Sequence, residues 1–80
     1  MYYVYIFNTD RNTLYCGYTD DVEKRYKAHL EGKGAKYTRA NKPVELVYKC
    51  AFETKSEAMK EERRIKKLSR KQKLELISSD

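Results

Sequence analysis

Leu14-Tyr15-Cys16-Gly17-Tyr18-Thr19-Asp20-Asp21-Val22-Glu23-Lys24-Arg25-Tyr26-Lys27-Ala28-His29 passes from strand to helix within a few residues. Leu14 to Tyr18 is rich in residues that suit a pleated surface, and Gly17 inside it marks the close approach of another backbone or a ligand. Thr19, Asp20 and Asp21 are helix-start residues, because a short oxygen-bearing side chain accepts from the N–H groups that a first turn leaves free. The predicted helix runs to about Leu30 and Glu31 and ends at Gly32. Val22, Tyr26, His29 and Leu30 recur at helical spacing and form its buried stripe. Arg25 and His29 stand at i and i+4, so they point the same way, along the edge where core meets solvent. Lys24 and Lys27 point elsewhere and read as solvated charges.

Before this stretch, Tyr2-Tyr3-Val4-Tyr5-Ile6-Phe7 is aromatic or β-branched throughout. It reads as a strand covered on both faces. The polar cluster Asn8 to Thr13 turns it back into Leu14 to Tyr18, giving a hairpin. Successive strand residues face opposite sides. Tyr5 and Tyr15 therefore share a face if odd positions pair with odd ones, and a slip of one residue separates them. Spacing leaves the register open.

After it, Glu31 to Pro43 is a long connection, a feature of functional or disordered segments. Lys33, Lys36, Arg39 and Lys42 surround Tyr37 there, a combination suited to phosphates and bases. A plain basic loop explains them equally well. Gly32-Lys33-Gly34 is not a phosphate-binding P-loop, because the spacing is wrong and no strand feeds it. Val44 to Glu53 alternates, with Val44, Leu46, Tyr48, Cys50 and Phe52 on one side, and is the clearest strand. Thr54-Lys55-Ser56-Glu57 is a capping box that opens a helix running to about Leu68. Ala58, Glu62 and Ile65 share one stripe, so Glu62 sits where an apolar residue is expected, whereas Glu61 lies off its centre. An inward carboxylate must be paired, protonated or bound to a cation. Glu62 is thus the best metal-ligand candidate, with an ion pair to Arg25 as the competing reading. Ser69 to Gln72 is a second capping box, before a short helix with Leu74 and Ile77 turned inward.

Eighty residues fit one domain, 1–80, with a small core. The net charge of +6 favours a polyanionic partner. Cys16 and Cys50 lack metal-ligand spacing and, with no signal peptide in view, read as reduced thiols of a cytoplasmic protein. No apolar run approaches membrane-spanning length. The basic run between Lys60 and Lys73 is of the kind usually found on a solvated helix face.

The order strand, strand, helix, strand, helix, helix resembles the GIY-YIG endonuclease domain over nearly the whole chain. Tyr3-Val4-Tyr5 stands in the place of Gly-Ile-Tyr, and Tyr15-Cys16-Gly17 in the place of Tyr-Ile-Gly. Arg25 matches the family's arginine on the first helix, His29 a frequent companion one turn later, and Glu62 the metal-binding glutamate. Gly32 to Arg39 and Ile65 to Ser69 look like the small stand-alone bacterial members, the YhbQ/YazA-like group. The departures are Tyr3 for the first Gly and Cys16 for the middle Ile.

The resemblance implies an α/β fold, β-β-α-β-α-α, with a small three-stranded, mainly antiparallel sheet flanked by helices. It implies metal-dependent hydrolysis of DNA phosphodiester bonds, in repair or recombination. Tyr5, Tyr15, Arg25 and His29 would be catalytic, Glu62 would hold one Mg²⁺ or Mn²⁺, and Gly17 would be structural. The basic loop would bind nucleic acid, with branched and single-stranded DNA as candidate substrates. A monomer or weak dimer is expected, with room for a protein partner and none for a membrane. A non-catalytic nucleic-acid-binding module or a repair-partner scaffold is the alternative.

Overall fold

The computed structural model describes residues 1–31 and 42–78. The elements are β1 (Tyr2–Thr9), β2 (Leu14–Thr19), α1 (Val22–Leu30), β3 (Pro43–Phe52), α2 (Lys55–Lys66) and α3 (Arg70–Ser78). The strands form one sheet in the order β2-β1-β3, with both pairings antiparallel. The architecture is therefore the α/β arrangement expected from the sequence.

β1 lies in the centre, which explains its unbroken apolar run. Val4, Tyr5, Ile6 and Phe7 are all buried, covered by different elements on the two faces. Val4, Ile6 and Cys16 pack against Ala58 and Ile65 of α2. On the other face, the rings of Phe7 and Tyr15 meet Tyr26 and His29 of α1. Alternate strand residues point to opposite sides, so α1 and α2 cover opposite faces of the sheet.

The hairpin register pairs Tyr5 with Gly17 and Phe7 with Tyr15. Odd positions meet odd positions, and Tyr5 and Tyr15 share the α1 face. The turn is closed by a 2.6 Å hydrogen bond between the Thr9 and Thr13 hydroxyls. Asn12 takes a left-handed φ of 58° there, a conformation that asparagine tolerates better than most residues.

Helix starts follow the capping chemistry. Asp21 caps α1, its Oδ1 accepting from Lys24 N–H at 3.1 Å. Thr54 and Glu57 make a reciprocal capping box on α2. Ser69 and Gln72 do the same before α3, at 2.9 and 3.2 Å.

Several expectations need correction. Val44 and Leu46 are exposed, at 55% and 38%, rather than inward-facing. The ladder steps from Ile6↔Tyr48 to Phe7↔Leu46, and from Asn8↔Glu45 to Thr9↔Pro43. Each step leaves one extra residue on β3, and a bulge of this kind re-aims the side chains beyond it. Leu46 thereby joins the α1 face, while Tyr48 and Phe52 keep their places against the core. Leu30 is also exposed, at the far end of its helix. On α3, Leu76 and Ile77 pack against the core while Leu74 is exposed. The Gly32 helix stop lies outside the described residues.

Candidate active site

Tyr5 is the deepest group of the site, 1% exposed at the middle of the central strand. Its ring stacks on Phe7 at 4.5 Å between centroids and lies 6.4 Å from the ring of Tyr15. Gly17 sits opposite on β2. A Cβ at Gly17 would collide with the Tyr5 hydroxyl and lie 2.7 Å from its Cζ. The close approach that this glycine permits is thus to the Tyr5 phenol, not to another backbone.

His29 is 1% exposed, and its Nε2 lies 3.4 Å from the Tyr5 hydroxyl. Its ring also lies 5.3 Å from that of Tyr15, tilted edge-on. One turn earlier, Arg25 is exposed yet close enough to act on Tyr5, Tyr15 and His29 together. The i, i+4 spacing on α1 and the odd-with-odd register bring these four residues to one place.

Their electrostatics differ. Burial drives the Tyr5 hydroxyl well above the ordinary tyrosine pKa, and the Tyr15 phenol adds to this. The Arg25 guanidinium works the other way, by charge and by hydrogen bonding. Tyr15 is half-buried and is also raised by burial, while Lys66 and then Arg25 lower it. Burial, then the neighbouring Arg25 charge, holds His29 below the ordinary histidine value.

His29 therefore stays neutral in the folded state at a pH where it is already protonated in the unfolded chain. Between the two pKa values the unfolded state binds more protons, so stability rises with pH. The contribution is fully present above about 6.5, the unfolded value, and is lost as pH falls through the folded pKa. In thermal melts from pH 8 to pH 5, Tm should fall below about pH 6.5, and His29→Gln should flatten that part of the profile. An identical profile for the variant would remove His29 as the cause.

Glu62 comes from the other face of the sheet. Its side chain is 18% exposed, and Oε2 pairs with Lys66 Nζ at 3.7 Å. The ion-pair reading thus had the wrong partner: the pairing group is Lys66, not Arg25. Glu61 is taken up by a two-pronged bond to Arg64, both contacts at 2.7 Å, which holds its carboxyl below the usual range. Glu62 acts electrostatically on Tyr15 and Cys16, so it faces the outer strand β2. Burial and this carboxylate push the Cys16 thiol up to about 11, which suits an inert core group.

Among the described residues, no three or more His, Cys, Asp or Glu side chains gather where they could hold a metal. Glu62 offers one hard oxygen donor. A Mg²⁺-like ion accepts such a minimal set, because substrate phosphates and waters complete its shell. The residues fit an ion shared with a phosphate-bearing ligand.

Lys33, Lys36, Tyr37 and Arg39 lie outside the described residues. Lys42 is exposed, and its carbonyl accepts from Asp10 N–H at 2.9 Å, placing it beside the hairpin turn. The structure adds residues that sequence reading missed. Around Arg25, which was expected, Tyr2, Tyr18, Lys24 and Lys55 line a cleft of about 450 Å³ together with Asp20 and Asp21. Lys24 is exposed, as expected of a solvated charge, and also lines that cleft. Tyr18 follows Gly17 directly and Lys24 precedes Arg25; that adjacency was the available signal. Lys66 was read as part of the basic run; its i, i+4 spacing from Glu62 was the signal that could have singled it out.

A family model described as the GIY-YIG catalytic domain matches residues 1–75. The chain belongs to the GIY-YIG family. It is 57% identical over 79 residues to a UPF0213 protein of Clostridium perfringens, covering 99% of this chain and 85% of the relative. It is 53% identical over 76 residues to a UPF0213 protein of Bacillus velezensis, covering 95% and 77%. The solution NMR structure of a UPF0213 protein from Bacillus halodurans superposes with a TM-score of 0.65 at 48% identity, covering 100% of this chain and 86% of that one. GIY-YIG membership implies nuclease chemistry on nucleic acid, carried generally with divalent ions. No described helix is long and apolar enough to cross a membrane.

Proposed function

We propose that this GIY-YIG protein is a metal-dependent endonuclease that hydrolyses DNA phosphodiester bonds. One observation carries the reading. Tyr15 stands on the outer strand within the electrostatic reach of both Arg25 and Glu62, which come from opposite faces of the sheet. A cation for the phosphoryl oxygens, a hydroxyl for the attacking water and an oxygen donor for a metal are thus electrostatically coupled.

Arg25 binds the scissile phosphate. It stays charged at any working pH and can fork onto two oxygens. Its charge opposes the negative charge that builds as the water oxygen attacks phosphorus. Tyr15 is the more accessible tyrosine and orients that water. Lys66 and Arg25 are the charges that favour its phenolate, the form whose oxygen can take a proton from that water. Tyr5 remains a neutral phenol, fixed by His29 and by the packing under Gly17, and acts as a positioning residue. One Mg²⁺ or Mn²⁺ held by Glu62 would polarise the phosphate and stabilise the leaving oxygen. Lys42, the cleft lysines Lys24 and Lys55, and the Lys33 to Arg39 segment would contact the backbone. The buried Cys16 and the free Cys50 support a reducing, cytoplasmic setting, and repair or recombination is the proposed context.

The test is cleavage of single-stranded, duplex and branched DNA with Mg²⁺, Mn²⁺ or EDTA. Metal-dependent cutting of at least one substrate is expected. No cutting of any, with salt-sensitive binding intact, would replace this reading with a non-catalytic binding module.

A further inference from the structure

We propose that Lys66 is an exchangeable counter-charge: it neutralises Glu62 in the free protein and moves to a nucleic-acid phosphate when a divalent ion takes the carboxylate. The inference rests on the endonuclease reading of Glu62 and gives a role to Lys66, to which the resemblance assigns none.

The geometry sets Lys66 apart from the rest of the basic run. It is the last residue of α2, one turn beyond Glu62, with its Nζ 3.7 Å from Oε2. Glutamate placed N-terminal to lysine at i, i+4 is the favourable order for such a pair. Lys66 is also the strongest charge acting on Tyr15 of the outer strand. Arg64, two residues earlier, is committed to Glu61. Lys66 thus pairs with the proposed metal ligand and acts electrostatically on the proposed water-orienting hydroxyl.

Charge balance then demands movement. Carboxylate and ammonium cancel in the free protein. A divalent ion on Glu62 leaves Lys66 beside a cation of twice its charge, with Arg25 adding a third positive group near Tyr15. The group that relieves this is the phosphate, whose oxygens accept from an ammonium. The pair is loose enough to exchange. Lys66 is 52% exposed and 3.7 Å from its partner, and half-exposed pairs of this type are weakly held. A flexible four-carbon stem lets the ammonium swing without moving the helix.

The experiment has two readouts. Mn²⁺ is titrated into the free protein and followed by paramagnetic broadening of the α2 amide signals. Lys66→Met should tighten binding about fivefold, because a competing positive charge has been removed. Oligonucleotide binding is then measured across salt concentrations, once in EDTA and once in Ca²⁺. In Ca²⁺ the wild type should exceed Lys66→Met in log–log slope by about 0.9, the loss of one duplex phosphate contact. In EDTA the two should coincide. Lys66→Arg keeps the charge and should behave as wild type in both readouts.

Unchanged or weaker Mn²⁺ binding by Lys66→Met overturns the proposal. So does a slope difference that is equal in EDTA and Ca²⁺, which would make Lys66 a fixed phosphate contact. Glu62→Gln separates the two levels. If it binds Mn²⁺ like wild type, the metal assignment fails and this inference with it. If it loses Mn²⁺ while Lys66→Met leaves binding unaltered, the metal assignment stands and the exchange alone is wrong.

Discussion

Arg25→Lys should lower kcat for phosphodiester cleavage by about two to three orders of magnitude, the cost of removing one preorganised group from the charge that develops in the transition state. The substitution keeps the positive charge, so nucleic-acid affinity should move by no more than about threefold. What it removes is the planar fork. Lysine offers a point charge on a flexible stem and cannot hold two phosphoryl oxygens in one orientation. Arg25 is exposed on α1, so the fold should tolerate the change. Single-turnover cleavage beside equilibrium binding separates these effects. A rate loss under tenfold, or equal losses in rate and binding, would demote Arg25 to a general phosphate contact. Its position predicts a further effect: Tyr5 loses the guanidinium hydrogen bond that helps to lower its pKa.

Glu62→Gln should reduce cleavage at least as severely, by about a thousandfold or more, because metal polarisation contributes several kcal/mol to charge stabilisation. Glutamine matches the shape of glutamate and keeps its helix preference. Only the pair with Lys66 is lost, and such helix pairs stabilise by about 0.3–0.5 kcal/mol. Thermal stability should therefore be nearly unchanged. Binding to DNA in EDTA should not weaken, because the freed Lys66 can only add a phosphate contact. A parallel loss of binding would mean that Glu62 supports the surface rather than the chemistry. Glu61→Gln is the internal control: that carboxylate is occupied by Arg64, so its removal should leave cleavage intact.

Glu62 was legible in the sequence because a helix writes its inward face at fixed spacing. A carboxylate between Ala58 and Ile65 stands out for that reason alone. The pairing of Arg25 with His29 was legible on the same ground. Tyr5 and Tyr15 were legible only conditionally, since their shared face depends on a register that no local feature dictates. β3 was misread because Val44, Leu46 and Tyr48 alternate as an unbroken strand would. Bulges change which way residues point without changing their spacing in the chain. Lys66 was less legible, since only its i, i+4 spacing from Glu62 marks it. Among many lysines and arginines on one pair of helices, composition cannot say which ammonium turns toward the sheet edge. The cleft around Tyr18, Lys24 and Lys55 joins residues far apart in sequence, so only folding could bring it into view.

Placing Arg25 and Glu62 on helices that cover opposite faces of the sheet has a consequence during synthesis. The hairpin and α1 leave the ribosome first, carrying the tyrosines, His29 and Arg25. Glu62 follows only after β3 has been made, and it reaches the edge only when α2 docks under Val4 and Ile6. A nascent chain therefore displays the tyrosines, His29 and Arg25 before the carboxylate of the proposed chemistry is in place. On that reading, activity would arrive only with the last docking step.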